Sequence, residues 1–361
     1  MAKEKLTASR MTCWLFCQRK HLHAYDHGVR STADRDALVF GTAWHAAQEW
    51  SYNNNGLPPV EMCQGMFEAA LGTSDNWEEF TVAKLQACIA GWVSVIYHNN
   101  DVIAQMKPEI EFTYPIEGSR TFEAAGKIDG IAVLRDGRTA LVEHKTTSED
   151  ISPESAYWTR LRFNPQLCRY ILGARAMGIT CDTVVYDVFR KPAIKPSDRV
   201  KDVDADGIPV VLLPDGTRKI KRDGAPAKTA DASKGETYST HAETPEEYGE
   251  RLRADIETRP DFYFARREVV VTERQLEAFR IMEGAMAKQI LNARERGRAA
   301  VSRGGSYESA FMMNVGRMTC PGCDYENFCM SGTPIDPANP PEGFANVGAT
   351  PELAQRPTDW K

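Results

Sequence analysis

Two short stretches hold the residue types that hydrolytic chemistry needs: Gly126-Lys127-Ile128-Asp129-Gly130 and Val142-Glu143-His144-Lys145. Two carboxylates and a lysine on neighbouring strands can hold a divalent cation at the acids while the ammonium sits beside an attacking water. That arrangement suits phosphodiester hydrolysis. An isolated Asp with a Glu-x-Lys is usually a turn and a solvated strand edge. Here the Glu-x-Lys follows the apolar run Ala140-Leu141-Val142, and Asp129 lies one hairpin away. Gln166 and Tyr170, spaced i, i+4, share one face of the helix that follows, a face that can reach both the acids and a DNA backbone. His45 stands beside Trp44 and is a weak signal alone.

A second constellation is Cys320-Pro321-Gly322-Cys323 with Cys329 six residues later, a C-x2-C-x5-C array. Three thiolates this close suit one soft metal centre and need a fourth ligand. Cys17 in Phe16-Cys17-Gln18-Arg19-Lys20 is the best candidate, with Cys13 in reserve. Spacing alone leaves open iron–sulfur, a zinc knob or reduced thiols. Cys63, Cys88, Cys168 and Cys181 lie in apolar patterns and read as buried small hydrophobes.

These residues need elements to position them. Apolar residues at helical spacing, with Trp14 and Leu22, then Trp44 and Trp50, then Met62 to Leu71 and Val82 to Trp92, make the first hundred residues mostly helix. Strands are predicted over 109–116, 122–134 and 139–145, with Arg135-Asp136-Gly137 as a turn. Asn164-Pro165 caps a helix that Gly178 ends, and 179–189 is a fourth strand. The stretch 191–241, rich in Pro, Gly, Asp and Lys, reads as an inserted hairpin and loop. Thr244-Pro245-Glu246-Glu247 opens a helix with a capping box. A further apolar stripe runs through 272–296, and a Pro-rich, loosely ordered tail follows at 331–361. The organisation is therefore one domain over 1–330, with a helical part (1–105), a catalytic sheet core (106–190), the insertion (191–241) and C-terminal helices with the cysteine array (242–330).

Composition excludes several classes. Hydrophobic residues at 42% and charged residues at 26% are ordinary globular values. No run of about 18 consecutive apolar residues and no apolar leader occur, so a cytoplasmic protein without membrane contact is expected. The net charge of −6 gives no global attraction to a polyanion. Local excesses exist, with eight basic against three acidic residues over 160–200 and twelve against eight over 251–303. Such patches can track a phosphate backbone without reading bases.

Taken together, Cys17-Gln18-Arg19-Lys20, Gly41-Thr42-Ala43-Trp44-His45, Gly126-Lys127-Ile128-Asp129, Glu143-His144-Lys145, Gln166…Tyr170 and the Cys320, Cys323, Cys329 array resemble the PD-(D/E)XK nucleases. More narrowly they are similar to the RecB-like iron–sulfur branch, which includes CRISPR-associated adaptation nucleases, the AddB nuclease domain and phage-encoded exonucleases. The resemblance implies an α/β fold with a restriction-endonuclease-like core, a central mixed sheet flanked by helices, and a 4Fe-4S cluster on Cys17, Cys320, Cys323 and Cys329. It implies Mg²⁺ or Mn²⁺ at His45, Asp129 and Glu143 with help from His144 through its main-chain carbonyl. Lys145 would orient or deprotonate the water, and Gln166 and Tyr170 would support the DNA and the site. One departure is Gln18, where the family usually has proline. The implied activity is a metal-dependent DNA exonuclease of phage-type replication or recombination, with DNA and a recombination or single-strand-annealing protein as partners. A structure-dependent endonuclease, or a DNA-binding assembly protein with a vestigial site, are the alternatives.

The hairpin imposes a geometric condition. A two-residue turn at Asp136-Gly137 would put Asp129 and Glu143 on opposite faces of the sheet. A three-residue loop, with Gly137 left-handed in a bulge, pairs Leu134 with Arg138 and brings Asp129 opposite Glu143. The chemistry selects the second, or an equivalent one-residue slip elsewhere in the hairpin.

Overall fold

The computed structural model describes residues 2–33, 36–71, 78–99, 102–162, 164–181 and 183–353. It begins with a short strand β1 (Glu4–Leu6) and helices α1 (Ala8–Phe16) and α2 (Gln18–His21). Thr7 caps α1, its hydroxyl accepting from the Arg10 N–H at 3.1 Å. Strand β2 (Val29–Ser31) leads to three helices, α3 (Asp36–Asn54), α4 (Val60–Leu71) and α5 (Glu79–Trp92). With its widened last turns, the α5 segment Glu79–Tyr97 is long and apolar enough to cross a membrane. Here Leu85, Cys88, Ile89 and Trp92 bury it in the core.

The sheet follows as β3 (Ile103–Pro115), β4 (Phe122–Leu134), β5 (Thr139–Thr147) and, after helices α6 (Ala156–Arg162) and α7 (Pro165–Ala176), β6 (Thr183–Arg190). Beyond an insertion come α8 (Pro245–Thr258), α9 (Pro260–Tyr263) and strand β7 (Phe264–Val270), then the long α10 (Glu273–Val301) and α11 (Glu326–Ser331). A last strand, β8 (Phe344–Asn346), pairs with β2.

Strand order is β1-β4-β5-β6-β7, with β3 on the far edge of β4. The β5–β6 pair is parallel and joined through α6 and α7, whereas β3–β4, β4–β5 and β6–β7 are antiparallel. On one face Leu141, Val184 and Tyr186 pack under Leu167 and Ile171 of α7 and Phe279 and Ile290 of α10. On the other, Phe189 and Phe264 meet Trp44 of α3, Trp92 of α5 and Ile256 of α8. Trp44 stacks on Phe189 at 4.1 Å between ring centroids. The result is the expected mixed α/β architecture, a central mixed sheet flanked by helices.

The sheet is split where the chemistry lies. Ala124 pairs with Leu6 of β1 on the edge opposite β3, and Gly130 pairs with Val142 of β5 on that same edge. Between them, residues 125–129 have no strand partner on that side. A cleft opens there against α7. Gly126 lies on its floor, and a Cβ at that position would fall 2.7 Å from the Phe112 ring and 3.4 Å from Tyr170. Gly126→Ala is therefore expected to cost about 1–3 kcal/mol through overpacking, read as a lower urea midpoint at unchanged m-value.

Some boundaries differ from those read in the sequence. β3 starts earlier, at Ile103, and β6 later, at Thr183. The insertion is a chain of tight turns in which Gly207, Gly216 and Gly224 all have positive φ, closed by two small strand pairs, Val200–Lys201 with Thr240–His241 and Val211–Leu212 with Thr237–Tyr238. The Pro-rich segment, expected to be a loose tail, runs back along the molecule as far as 353. The Val347 N–H donates to the Gly28 carbonyl at 2.8 Å, and Thr7 hydrogen-bonds Glu352. Residues 354–361 lie outside the described residues.

Candidate active site

The β4–β5 hairpin turns through the three-residue loop. The Leu134 N–H donates to the Arg138 carbonyl at 2.8 Å, the Gly137 N–H donates to the Leu134 carbonyl at 3.0 Å, and Gly137 has φ +88°. The register Gly130↔Val142 then brings Asp129 opposite Glu143 at the point where the strands part. No ladder bond continues there. Instead the His144 N–H donates to Asp129 Oδ2 at 2.9 Å.

Helix α7 supplies the other wall. Asn164 caps it by accepting from the Gln166 N–H at 3.0 Å, and Pro165 fills its first position. Lys145 Nζ donates to Gln166 Oε1 at 3.0 Å and also to Glu143, and Gln166 Nε2 donates to the Tyr170 hydroxyl at 2.7 Å. Gln166 and Tyr170 thus reach Glu143 in one chain of hydrogen bonds through Lys145. His45, on α3, comes within 3.7 Å of Asp129 Oδ1. His45, Asp129, Gln166 and Tyr170, together with Thr7, Lys127 and Glu352, line a cleft of about 320 Å³.

The two acids are held differently. Burial and the Asp129 charge push the Glu143 carboxyl up to about 7, against the pull of Lys145. Asp129 is also penalised by burial, but His45, His144 and Lys145 outweigh it and hold this carboxyl well below the usual carboxylate range. Lys145 loses solvation, yet Glu143 and Asp129 raise its affinity for its proton above normal. Tyr170 is raised by burial and by the same two acids, and stays a neutral phenol. Adjacent carboxylates whose environments drive them apart are a recurring mark of working sites.

His144 presents its main chain, not its imidazole, to the edge of the cleft. Its imidazole lies on the opposite face of the sheet, where Nδ1 meets Gln48 Nε2 at 3.0 Å and Asp187 Oδ2 at 3.2 Å. The reason is strand alternation: Glu143 and Lys145 both face the cleft, so His144 between them cannot. Asp187 also accepts from the Trp92 indole and from Arg266, each at 3.0 Å. Gln48, Asp187 and Arg266 were not read in the sequence. A charged residue inside the apolar run Val184 to Phe189 was the available signal.

The cysteine array packs against the end of α1. The Arg19 N–H donates to the Met312 carbonyl at 3.3 Å, Asn314 Nδ2 to the Phe16 carbonyl at 2.8 Å, and the Tyr325 hydroxyl to the Val29 carbonyl at 2.7 Å. Cys329 is raised mainly by burial, with Arg19 pulling the other way and the thiols of Cys17, Cys323 and Cys320 near enough to add to the rise. Cys13 is more deeply placed among Ala24, Tyr25 and Tyr325, and burial pushes its thiol up to about 12. Cys63, Cys88 and Cys181 are buried as expected, whereas Cys168 is only half-buried.

The family model for the PD-(D/E)XK nuclease superfamily matches residues 5–330. The chain belongs to that superfamily. Membership implies a metal-dependent nuclease with DNA as substrate and Mg²⁺ or Mn²⁺ as the superfamily's metals. No curated protein matches the chain. Among solved structures, the crystal structure of SSO0001 is 13% identical, covers 72% of this chain and 78% of that one, and overlays with a TM-score of 0.23, too loose to bear on the activity.

Among the described residues no group of three or more His, Cys, Asp or Glu side chains stands in a ready metal-binding array. Lys145 engages Glu143 instead. The donor chemistry nonetheless fits a superfamily metal, because Glu143 Oε2 is buried without a hydrogen-bond partner and Asp129 supplies a second hard oxygen ligand. With its folded value near 7 against an ordinary 4.5, neutral Glu143 favours the fold below about pH 4.5, and that contribution is lost as pH rises through about 7. Ligation needs the ionised form. The rise in melting temperature on adding Mg²⁺ is therefore expected to be larger at about pH 8 than at about pH 6, with one proton released per metal at the lower pH by calorimetry in two buffers.

Proposed function

We propose that this chain is a divalent-metal-dependent DNA exonuclease of phage-type replication or recombination, hydrolysing phosphodiester bonds in the cleft between β4, β5 and α7. The observation that carries the reading is the meeting of Asp129, Glu143 and Lys145 at the split in the sheet, with the register that the turn imposes. Asp129, Glu143 and His45 would hold Mg²⁺ or Mn²⁺, with the His144 main chain rather than its imidazole at the same edge. When bound, the metal polarises the phosphoryl oxygen and lowers the pKa of water.

The chain's own groups do the rest. Glu143 and Asp129 keep the proton on Lys145, so its ammonium donates, orienting the attacking water and offsetting charge that develops on the phosphate. Gln166 fixes the Lys145 Nζ, and Tyr170 fixes Gln166. Glu352 and Leu353 of the C-terminal segment join Thr7 in lining the cleft, and the exonucleolytic part of the reading rests on the resemblance to phage-encoded exonucleases. We also assign Cys17, Cys320, Cys323 and Cys329 to a 4Fe-4S cluster, supported by the C-x2-C-x5-C spacing and by the influence of the other three thiols on Cys329, and place the protein in the reducing cytoplasm. Full-length protein given linear and covalently closed circular DNA with Mg²⁺ should degrade only the linear form. Cutting of the circle would make the activity endonucleolytic.

A further inference from the structure

Lys127 and Glu109 are not needed for the hydrolytic step, and their placement is unusual. Lys127 lines the cleft two residues before Asp129 on the same strand. Its ammonium is ion-paired with Glu109 of β3, the two side chains being 21% and 15% exposed. Glu109 has φ +47°, a left-handed conformation that side chains other than Asn, Asp and Gly rarely adopt. The β3–β4 ladder is regular on both sides, with Pro108 opposite Gly130 and Ile110 opposite Ile128. The strained residue is thus the one across from Asp129. In an ordinary antiparallel pair the two Cβ atoms would stand about 5 Å apart and set a third carboxylate beside the acids. The left-handed backbone avoids this and lets Glu109 take Lys127 as its partner.

We infer that Lys127 is a contact for a backbone phosphate of the DNA strand entering the cleft, and that Glu109 is the counter-ion the phosphate displaces. The inference rests on reading the cleft as a nuclease site. A cation beside Asp129 at the cleft wall, not engaged by the Lys145–Gln166–Tyr170 chain, has no hydrolytic task but faces the path of a polyanion. A partly exposed ion pair is weak enough to exchange. Backbone strain that persists at one residue beside a working site is a common device for holding a group in place.

The test is binding of a fluorescein-labelled 20-nucleotide single strand to the full chain in EDTA, followed by anisotropy across a salt series. Lys127→Met is expected to weaken binding about five- to tenfold at low salt and to lower the slope of log K against log salt by about 0.7, the increment of one phosphate contact on a single strand. Lys127→Arg should restore the slope. Glu109→Gln should bind a few-fold tighter, and Glu109→Gly should do the same with a higher melting temperature because the strain is gone. An unchanged slope for Lys127→Met, or weaker binding by Glu109→Gln, would overturn the inference. If Lys127→Met does not fold, the Lys127→Arg and Glu109→Gln arms decide it. Metal-dependent cleavage that survives Glu143→Ala would instead remove the active-site reading, whatever the slope.

Discussion

Lys145→Ala should cut turnover on linear DNA by about 10²–10⁴-fold, the usual span for losing a group that moves or orients a proton in the transition state. The fold should survive. The Lys145 side chain faces the cleft and is about one-quarter exposed, so its removal leaves no cavity in the core. What it does leave is Glu143 without its counter-charge in a buried site, so that carboxyl should take up a proton more readily still. The variant should therefore show a melting temperature within a few degrees of the parent in EDTA, and a Mg²⁺ response displaced to higher pH. Circular dichroism and a single-turnover time course read the two halves separately. Near-parental turnover would remove Lys145 from the chemistry.

Replacing any one of Cys17, Cys320, Cys323 and Cys329 with serine should destabilise the whole domain. A centre held by these four thiols ties residue 17 to residues 320–329 and closes most of the chain into a loop. On loop-closure entropy a cross-link of that span is worth roughly 5 kcal/mol. Residues 311–329 otherwise rest on α1, α2 and β2 through hydrogen bonds of Met312, Asn314 and Tyr325 and through the buried side chains of Phe311 and Tyr325. Anaerobically purified parent protein should be brown and carry about four irons per chain. Each variant should lose colour and show a lower melting temperature, while Cys63→Ser, in the helical core, should keep its iron. Stoichiometric zinc with no visible absorbance would replace the cluster with a zinc knob.

The sequence and the structure agree most closely where a local rule admits one answer. Strand 122–134 was legible as an extended run before a turn, and the helix that carries Gln166 and Tyr170 from its Asn-Pro start and glycine stop. The loop at Arg135-Asp136-Gly137 was legible because only one register lets both acids face one cleft, and Gly137 alone can take the required conformation cheaply. Elements whose formation depends on partners were not. β1 has three residues and exists because the split in the sheet leaves the first part of β4 an open edge. β7 carries Arg266, Arg267 and Glu268 on an outer strand, so its pattern lacks the apolar run of β6, and its seven-residue pairing with β6 is what makes it a strand.

The site shows the same division. Glu143, Lys145, Gln166 and Tyr170 form one hydrogen-bonded chain, and Asp129 lies beside it on the His144 N–H. The imidazole of His144 points away from the cleft because a pleated strand alternates its side chains, so only the main chain of this residue lies at the site. The buried partners of that imidazole, Gln48 on α3, Asp187 on β6 and, through Asp187, Arg266 on β7, come from three distant parts of the chain. No local pattern could join them.

The most direct test of a metal-dependent nuclease centred on Asp129, Glu143 and Lys145 is release of label from 5′-labelled linear DNA by the full-length protein. It should be measured with Mg²⁺, with Mn²⁺ and with EDTA, beside Glu143→Ala. Release is expected with either metal, with none in EDTA and none from the variant at equal folded concentration. Release that persists in EDTA, or that Glu143→Ala leaves undiminished, would contradict it.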